Sequence, residues 1–125
     1  MPVAKRVGQV LMPVVDQGGL MAVADLAGRG LVAGTVVVEP VDDGLGDAIA
    51  SVQAVSATGP LVMAVDEEGG TVQRLDALLG DMSSAWHMAG HPIDDVRVAA
   101  RERAEAMAGL GFTMNLAPVV DVGAG

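Results

Sequence analysis

The hydrophobic pattern alternates short apolar runs with longer amphipathic stretches, and one run is especially clear. It covers residues 61–65, follows the turn signal Gly59-Pro60, and contains no polar residue. A short apolar run bounded by chain breakers is typical of a strand buried on both faces, as in a parallel sheet. Three consecutive acids, residues 66–68, come directly after it. Ligands of α/β proteins bind at the carboxyl ends of the strands, so these acids are candidates for chemistry or recognition.

The rest of the chain predicts a regular alternation of strands and helices. We predict strands at 7–15 (or a short helical turn leading into a strand), 31–39, 61–66 and 113–122, and helices at 20–26, 45–56 and 96–110. The last helix is expected to be capped by Asp94 or Asp95. The side chains predicted to face inward are Leu20, Met21 and Ala24, then Ile49, Val52 and Val55, then Val96, Ala100, Met107 and Leu110. This βαβ pattern indicates a parallel sheet, and an open doubly wound sheet and a closed barrel both fit it.

Composition narrows the class of protein. The 125 residues suffice for one domain with a core, and 51% of them are hydrophobic while only 2% are aromatic. Val, Leu, Ala and Met must therefore fill that core. The formal net charge of −9 argues against a nucleic-acid partner, which requires clustered Lys and Arg. The absence of Cys excludes disulfides and thiolate chemistry.

The sequence also limits the predicted location. No apolar segment approaches the length of a membrane span. The first residues include Lys5 and Arg6 but no signal-peptide core or cleavage site after them. The sequence as it stands predicts a cytoplasmic protein, or an exported one if an N-terminal signal has been lost.

Four segments, in the same order along the chain, resemble the N-terminal part of glycoside hydrolase family 3, in its bacterial β-N-acetylglucosaminidase branch. The strongest is residues 61–75, LVMAVDEEGGTVQRL, which resembles the family signature. Residues 111–122, GFTMNLAPVVDV, closely resemble the segment around the family's fourth strand. Residues 7–12, VGQVLM, and 34–38, GTVVV, resemble its first and second strands.

This resemblance implies the fold and chemistry of a retaining glycosidase. The expected fold is α/β, the first half of a (β/α)8 barrel, with about four parallel strands and crossover helices. Such a barrel takes about 250 residues, so residues 1–125 are expected to be a partial barrel domain truncated after strand 4. The family's carboxylate nucleophile lies later in the barrel, so we expect no catalytic residue in this chain. No cofactor is expected.

The expected function follows from the same resemblance. The complete protein would remove terminal β-N-acetylglucosamine from peptidoglycan-derived sugars, so the expected partner is an N-acetylglucosamine-containing glycan. The alternatives are a β-glucosidase fragment of the same family and an inactive half-barrel that acts as a binding or assembly module. A half-barrel exposes strand edges and apolar helix faces, so self-association is also expected.

Two residues are predicted to bind the substrate. Asp66 matches the family Asp that binds hydroxyls of the terminal sugar, and a carboxylate can accept charge-assisted hydrogen bonds from two adjacent hydroxyls. Arg74 matches the end of the signature and is expected to orient Asp66 or another acid at this edge, with a plain surface or loop salt bridge as the alternative. Glu68 and Asp121 are predicted to support the site. Glu67 and Glu68 are not predicted to be a catalytic pair, because neighbouring residues on a strand point to opposite faces.

Other polar and aromatic residues are interpreted as structural. His87 and His91 are four apart, but Pro92 follows and a third ligand is lacking, so no metal site is predicted. Trp86 is the only Trp and is interpreted as a packing residue, with stacking on a sugar as the alternative. Asn115 is interpreted as a satisfied buried polar group.

Overall fold

Four parallel strands form one sheet in the computed structural model, which describes residues 1–120. The strands are β1 (Val14–Val15), β2 (Gly34–Val37), β3 (Val62–Val65) and β4 (Met114–Asn115). They lie in the order β1-β2-β3-β4, so each strand pairs with its neighbour in the chain. A doubly wound sheet reverses its strand order at a switch point, whereas a barrel keeps the order sequential. The sheet therefore has the topology of consecutive barrel strands.

Helices connect the strands, as the alternating pattern predicted. They are α1 (Val3–Gly8), α2 (Leu20–Gly28), α3 (Leu45–Ala54), α4 (Asp76–Leu79), α5 (Ala85–Met88) and α6 (Ile93–Gly109). The short helices α4 and α5 lie in the long connection between β3 and α6. Within residues 1–120, no helix combines the length and the apolar character that a bilayer crossing requires.

The core lies between one face of the sheet and helices α2 and α3. Residues Val37, Met63 and Val65 point toward it and are completely buried. Fully burying a side chain of this size contributes about 1.5–3 kcal/mol, so this face contributes much of the folding free energy. The helix and loop side chains of the same cluster are Leu20, Val23, Ala27, Val32, Leu45, Ile49, Val52, Leu61, Leu75, Met107 and Phe112.

The opposite face of the sheet is buried at its centre, where Ala64 lies, and exposed at its two edge strands. Strand register places Val14, Val36, Ala64 and Met114 side by side in one row across the sheet. Successive strand residues point to opposite faces, so this row faces away from the core. Its outer members, Val14 and Met114, are 64% and 43% exposed. We call this row the open sheet face.

The first and last strands are short. Residues 7–15 follow the predicted alternative of a short helical turn leading into a strand, because residues 7–8 end α1 and Val14–Val15 form β1. Pro2 stands at the start of α1 and Lys5 and Arg6 in its last turn, where cations interact favourably with the helix dipole. Of the strand predicted at 113–122, residues 114–115 are regular strand, and residues beyond 120 lie outside the described part of the chain.

Three predicted inward positions are wrong. Met21 is 84% exposed, because the buried stripe of α2 is Leu20, Val23 and Ala27, spaced three and four apart. Val55 is about half exposed, because α3 ends one residue before it. On α6, Ala100 is exposed, whereas Arg103 is buried beside Met107.

The predicted cap of α6 is also wrong. The helix begins at Ile93 directly after Pro92, and the cap residue makes no side-chain hydrogen bond. Asp94 and Asp95 lie in the first turn instead. There their charges interact favourably with the positive end of the helix dipole.

Candidate functional site

Polar side chains collect at the carboxyl ends of the four strands. Glu39 follows β2, Asp66 and Glu67 follow β3, Asn115 ends β4, and Gln17 follows β1. Because the strands are parallel, these ends share one edge of the sheet, which we call the rim. In a barrel, this is the end at which active sites form.

Glu67 is the most constrained residue of the rim. Its side chain is completely buried, and its Oε2 accepts hydrogen bonds from the backbone N–H of Arg74 at 2.8 Å and of Leu75 at 3.0 Å. Its Oε1 lies 3.7 Å from Nη2 of Arg103, which is too long for a hydrogen bond but close enough for an ion pair. Glu67 therefore connects the loop after β3 to helix α6.

Arg103 and Asn115 complete this connection. Nη2 of Arg103 also donates to the backbone oxygen of Gly80 at 2.7 Å. The Asn115 side chain accepts from the backbone N–H of Glu67 at 3.1 Å and donates to its backbone oxygen at 3.0 Å. The side-chain amide thus continues the pairing of β3 with β4. Asn115 is satisfied, as predicted, although the residue is exposed rather than buried.

Asp66 lies half-buried at the end of β3. None of the ion pairs found among residues 1–120 involves its carboxylate. The Arg74 side chain pairs with another acid and does not orient Asp66, although orienting Asp66 was one predicted role of Arg74. Its carboxylate is therefore placed at the rim without an internal cationic partner in the described part of the chain.

Arg74 pairs with a different acid of the rim. Its Nη1 donates to Oε1 of Glu39 at 2.7 Å, and both side chains are partly exposed. The pKa of Glu39 lies below its ordinary value, because its carboxylate accepts a hydrogen bond from its own backbone N–H and, in addition, from Arg74, whose charge acts in the same direction. This pair is compatible with the predicted orientation of another rim acid and equally with a plain loop salt bridge.

Gln17 and Asp42 link the first two strand ends. Nε2 of Gln17 donates to Oδ1 of Asp42 at 2.6 Å, and Oε1 of Gln17 accepts from the backbone N–H of Asp42 at 2.8 Å. Hydrogen bonds from Gln17 and from the backbone N–H of Gly44 hold the pKa of Asp42 below its ordinary value. This pair was not predicted, since neither residue belongs to a recognisable motif.

The glycine pair after the acids lets the loop approach its neighbour closely. Gly69 and Gly70 have φ angles of +84° and +67°, and the backbone N–H of Gly70 donates to the oxygen of Met82 at 2.8 Å. The backbone N–H of Glu68 donates to Val72 at 2.9 Å, so Glu68 supports the loop through its backbone.

A cavity of about 810 Å³ lies between α6, the 81–88 segment and the end of β4. Glu67, Glu68, Arg103 and Asn115 line part of it, and most of the remaining lining is Ala and Met. Asp66 and Arg74 do not line it. The two predicted substrate-binding residues thus lie outside this cavity.

Several other predicted positions have clear outcomes. Trp86 is 85% exposed, so its interpretation as a packing residue is wrong. The rings of His87 and His91 lie 5.1 Å apart. Within residues 1–120, no three His, Asp or Glu side chains come together in a way that could hold a metal ion. Asp121, predicted to support the site, lies outside the described residues.

Sequence reasoning missed the buried pair of Glu67 and Arg103. The signal was present on α6, where Arg103 stands four residues before Met107 on the inward stripe of the helix. A cation on such a stripe requires a buried partner, because an unpaired charge is costly to bury. Its partner could be any of several acids, and only the folded structure identifies it.

Comparison with known proteins gives consistent matches. The model of the glycosyl hydrolase family 3 N-terminal domain matches residues 5–125. Beta-hexosaminidase LpqI of Mycobacterium tuberculosis (strain ATCC 25618 / H37Rv) is 44% identical over 77 residues, which cover 60% of this chain and 20% of the relative. The protein of the same name from Mycobacterium bovis (strain BCG / Pasteur 1173P2) is 43% identical over the same length.

Solved structures give a similar result. A glycosyl hydrolase of the GH3 family from Mycobacterium smegmatis (str. MC2 155) superposes with a TM-score of 0.84 and 33% identity, over 98% of this chain and 37% of its own. Mycobacterium tuberculosis LpqI superposes with a TM-score of 0.81 and 32% identity, over 100% of this chain and 37% of its own. The chain therefore spans little more than a third of these solved chains.

Proposed function

The chain belongs to glycosyl hydrolase family 3, and from this premise we propose that it supplies the sugar-binding strands of a glycosidase that removes terminal β-N-acetylglucosamine from peptidoglycan-derived sugars. The family consists of glycosidases. The curated relatives that this chain matches are named β-hexosaminidases. The (β/α)8 fold expected from the sequence agrees with the solved family members.

The observation that carries this proposal is the position of Asp66 at the rim and the lack of a cationic partner for it among residues 1–120. Its carboxylate lies half-buried at the rim and has no cationic partner among residues 1–120. A carboxylate in this position can accept hydrogen bonds from two adjacent sugar hydroxyls, and such charge-assisted bonds are about twice as strong as neutral ones. A sugar without those hydroxyls would leave the carboxylate unpaired, which is how this site would select its ligand.

Arg74 is proposed as the second contact to the sugar. Its guanidinium has five N–H donors, and Glu39 accepts from one nitrogen. The Nε–H of Arg74 is buried, so the donors proposed for hydroxyl or ring oxygens are those on its two terminal nitrogens. The ion pair with Glu39 fixes the direction of the side chain. Glu68 supports this arrangement through the loop, and Asp121, outside the described residues, is proposed to support it as well.

Binding of N-acetylglucosamine to residues 1–125 tests the role of Asp66. We expect saturable binding in a heteronuclear NMR titration, and Asp66→Asn should weaken it at least tenfold. Losing a hydrogen bond to a charged group costs about 1.5–3 kcal/mol, and 1.4 kcal/mol corresponds to tenfold. The matched control is Asp25→Asn, which removes an exposed acid on α2 whose ion pair among residues 1–120 is with Arg29.

Two outcomes would contradict this proposal. Equal binding of glucose and N-acetylglucosamine would favour a β-glucosidase. Failure of the wild-type chain to bind either sugar would favour an assembly module without a sugar site.

Residues 1–125 alone are proposed to bind sugar without cleaving it. The resemblance assigns the nucleophile to a later barrel strand, and retaining chemistry requires that carboxylate to form the glycosyl-enzyme intermediate. We therefore expect no turnover of an aryl N-acetylglucosaminide by the purified chain. Turnover that disappears in Asp66→Asn would overturn this expectation.

A further inference from the structure

The buried carboxylate of Glu67 has two distinct sets of contacts. One oxygen, Oε2, accepts both backbone N–H groups of Arg74 and Leu75. The other, Oε1, has no hydrogen-bond donor within residues 1–120 and faces the Arg103 guanidinium at 3.7 Å. The ion pair and the backbone bonds are therefore made by different atoms, and their roles can be separated by substitution.

The ion pair compensates for the burial of two charges. Glu67 is completely buried and the Arg103 side chain is 9% exposed. Taking two charges out of water costs free energy that their attraction offsets only in good geometry, and apolar residues of similar size often stabilise a protein equally well. The ion pair alone therefore gives no reason for a carboxylate at this position, whereas the partly buried N–H of Arg74 and the buried N–H of Leu75 require an acceptor there.

The backbone contacts of Glu67 reach both proposed sugar-binding residues. Asp66 immediately precedes Glu67, whose own backbone N–H and oxygen are held by the Asn115 side chain. The backbone of Arg74 is held by Oε2 of Glu67, while the Arg74 side chain extends from that fixed point to Glu39. One buried residue thus fixes the start and the end of the loop that carries Asp66 and Arg74.

We infer that Glu67 is a positioning residue for the sugar site: through two backbone hydrogen bonds it holds Arg74 at a fixed distance from Asp66, and it does not contact the sugar itself. This inference rests on the proposed function, because it concerns the geometry of that same site. Arg103 neutralises the charge of Glu67 and holds the chain farther on, through the backbone oxygen of Gly80. Among residues 1–120 no hydrogen bond joins it to Arg74 or Leu75.

Two double variants separate the hydrogen bonds from the charge. Glu67→Gln with Arg103→Met removes both charges but keeps a side-chain oxygen, and a single oxygen suffices because Oε2 alone accepts both bonds. Glu67→Leu with Arg103→Met removes the same charges and also removes the acceptor. The two variants therefore have equal net charge, and only the Gln variant keeps an acceptor for the two N–H groups.

The expected result is a loss of sugar affinity in only one of them. Binding of N-acetylglucosamine by the Gln variant should stay within about threefold of the wild-type chain, and the Leu variant should bind at least tenfold more weakly. Circular dichroism and urea titration verify that both are folded under the binding conditions. A purely structural role would lower the stability of a variant but leave the affinity of its folded form unchanged, so equal affinities of the two variants would overturn the inference.

Amide hydrogen exchange in the wild-type chain provides a second test that requires no variant. The amides of Arg74 and Leu75 should exchange much more slowly than the amide of Gln73, which precedes them in the same loop. Rapid exchange at Arg74 and Leu75 would overturn the inference whatever the variants do. If the wild-type chain binds no sugar, the proposed function and this role both fail, whereas binding that is equal in the two variants refutes only the role of Glu67.

Discussion

At the scale of single residues, the loop after β3 depends on a glycine that no other residue can replace without strain. Gly69 has a φ angle of +84°, which side chains rarely adopt. A Cβ atom added there would overlap the backbone oxygen of Ser83. This oxygen belongs to the backbone and cannot move aside by a change of rotamer. The close approach of the two loops therefore requires glycine.

The substitution Gly69→Ala should strongly destabilise the chain. A left-handed conformation costs an ordinary residue about 1–2 kcal/mol, and a steric overlap in a packed region costs about 1–3 kcal/mol more. We expect the free energy of unfolding, measured by urea titration, to fall by about 2–4 kcal/mol.

Gly59→Ala is the matched control for that experiment. Gly59 has a φ angle of +96°, but no atom lies within 4 Å of an added Cβ. Gly59→Ala therefore incurs the conformational cost without the steric overlap. The difference in the free energy of unfolding between the two variants then measures the cost of the contact with Ser83. Equal losses in both variants would show that the two loops do not pack closely.

The site residues differ in how far the sequence predicted them. Asp66 was predictable, because an apolar run that ends in acids indicates the carboxyl end of a strand. The pairing of Arg74 was predictable only as a choice between rim acids, since selecting Glu39 requires the relative positions of β2 and β3. The buried role of Glu67 was not predictable from strand alternation, because the chain leaves the strand at Asp66 and alternation no longer applies.

At the scale of helices and strands, the order of elements followed from the hydrophobic pattern, and their boundaries and faces did not. The hydrophobic residues of α2 are compatible with more than one buried helix face, so Met21 was predicted to lie in the core. The buried face is instead the one that contains Val23. The sequence of residues 7–15 did not decide between a strand and a helical turn leading into one, because Val-rich sequence is compatible with both α1 and an extended chain. Tertiary packing decides which face is buried and whether such a segment is helix or strand, and the local sequence pattern carries no information about that packing.

Gln17 and Asp42 connect the ends of two strand-to-helix units, and this connection should depend on pH. The hydrogen bonds from Gln17 and Gly44 lower the pKa of Asp42 from its ordinary value of 3.8. A carboxyl group with a lowered pKa contributes stability that is present above its unfolded-state pKa and is lost as pH falls through its folded-state pKa. Gln17→Ala should therefore destabilise the chain at neutral pH, and its effect should shrink below about pH 3.8.

Gln53→Ala serves as the control for this pH dependence. Gln53 also makes two hydrogen bonds through its side-chain amide, but its partners are the backbone N–H and oxygen of Leu61, which do not titrate. Its destabilising effect should stay constant between pH 7 and pH 3. An effect of Gln17→Ala that is equally constant would contradict the proposed coupling to Asp42.

At the scale of the whole molecule, the chain contains a core on one side of the sheet and an apolar surface on the other. The open sheet face exposes Val14 and Met114, which belong to the two edge strands. In the related solved structures, the matched region is 37% of the chain. Residues 1–125 alone therefore present apolar surface and unpaired strand edges together, a combination that favours association with other chains.

We propose that residues 1–125 self-associate through the open sheet face, and a charge placed there should weaken the association. In light scattering, the wild-type chain should show a mass well above the monomer value of 12.6 kDa. Val14→Lys introduces a charge at the edge strand β1, which opposes edge pairing and burial of the face, so it should shift the chain toward the monomer. Met21→Lys is the matched control, because it makes the same charge change at an exposed Met on α2, away from that face. A wild-type chain that is already monomeric, or an equal shift in both variants, would show that the open sheet face is not the contact.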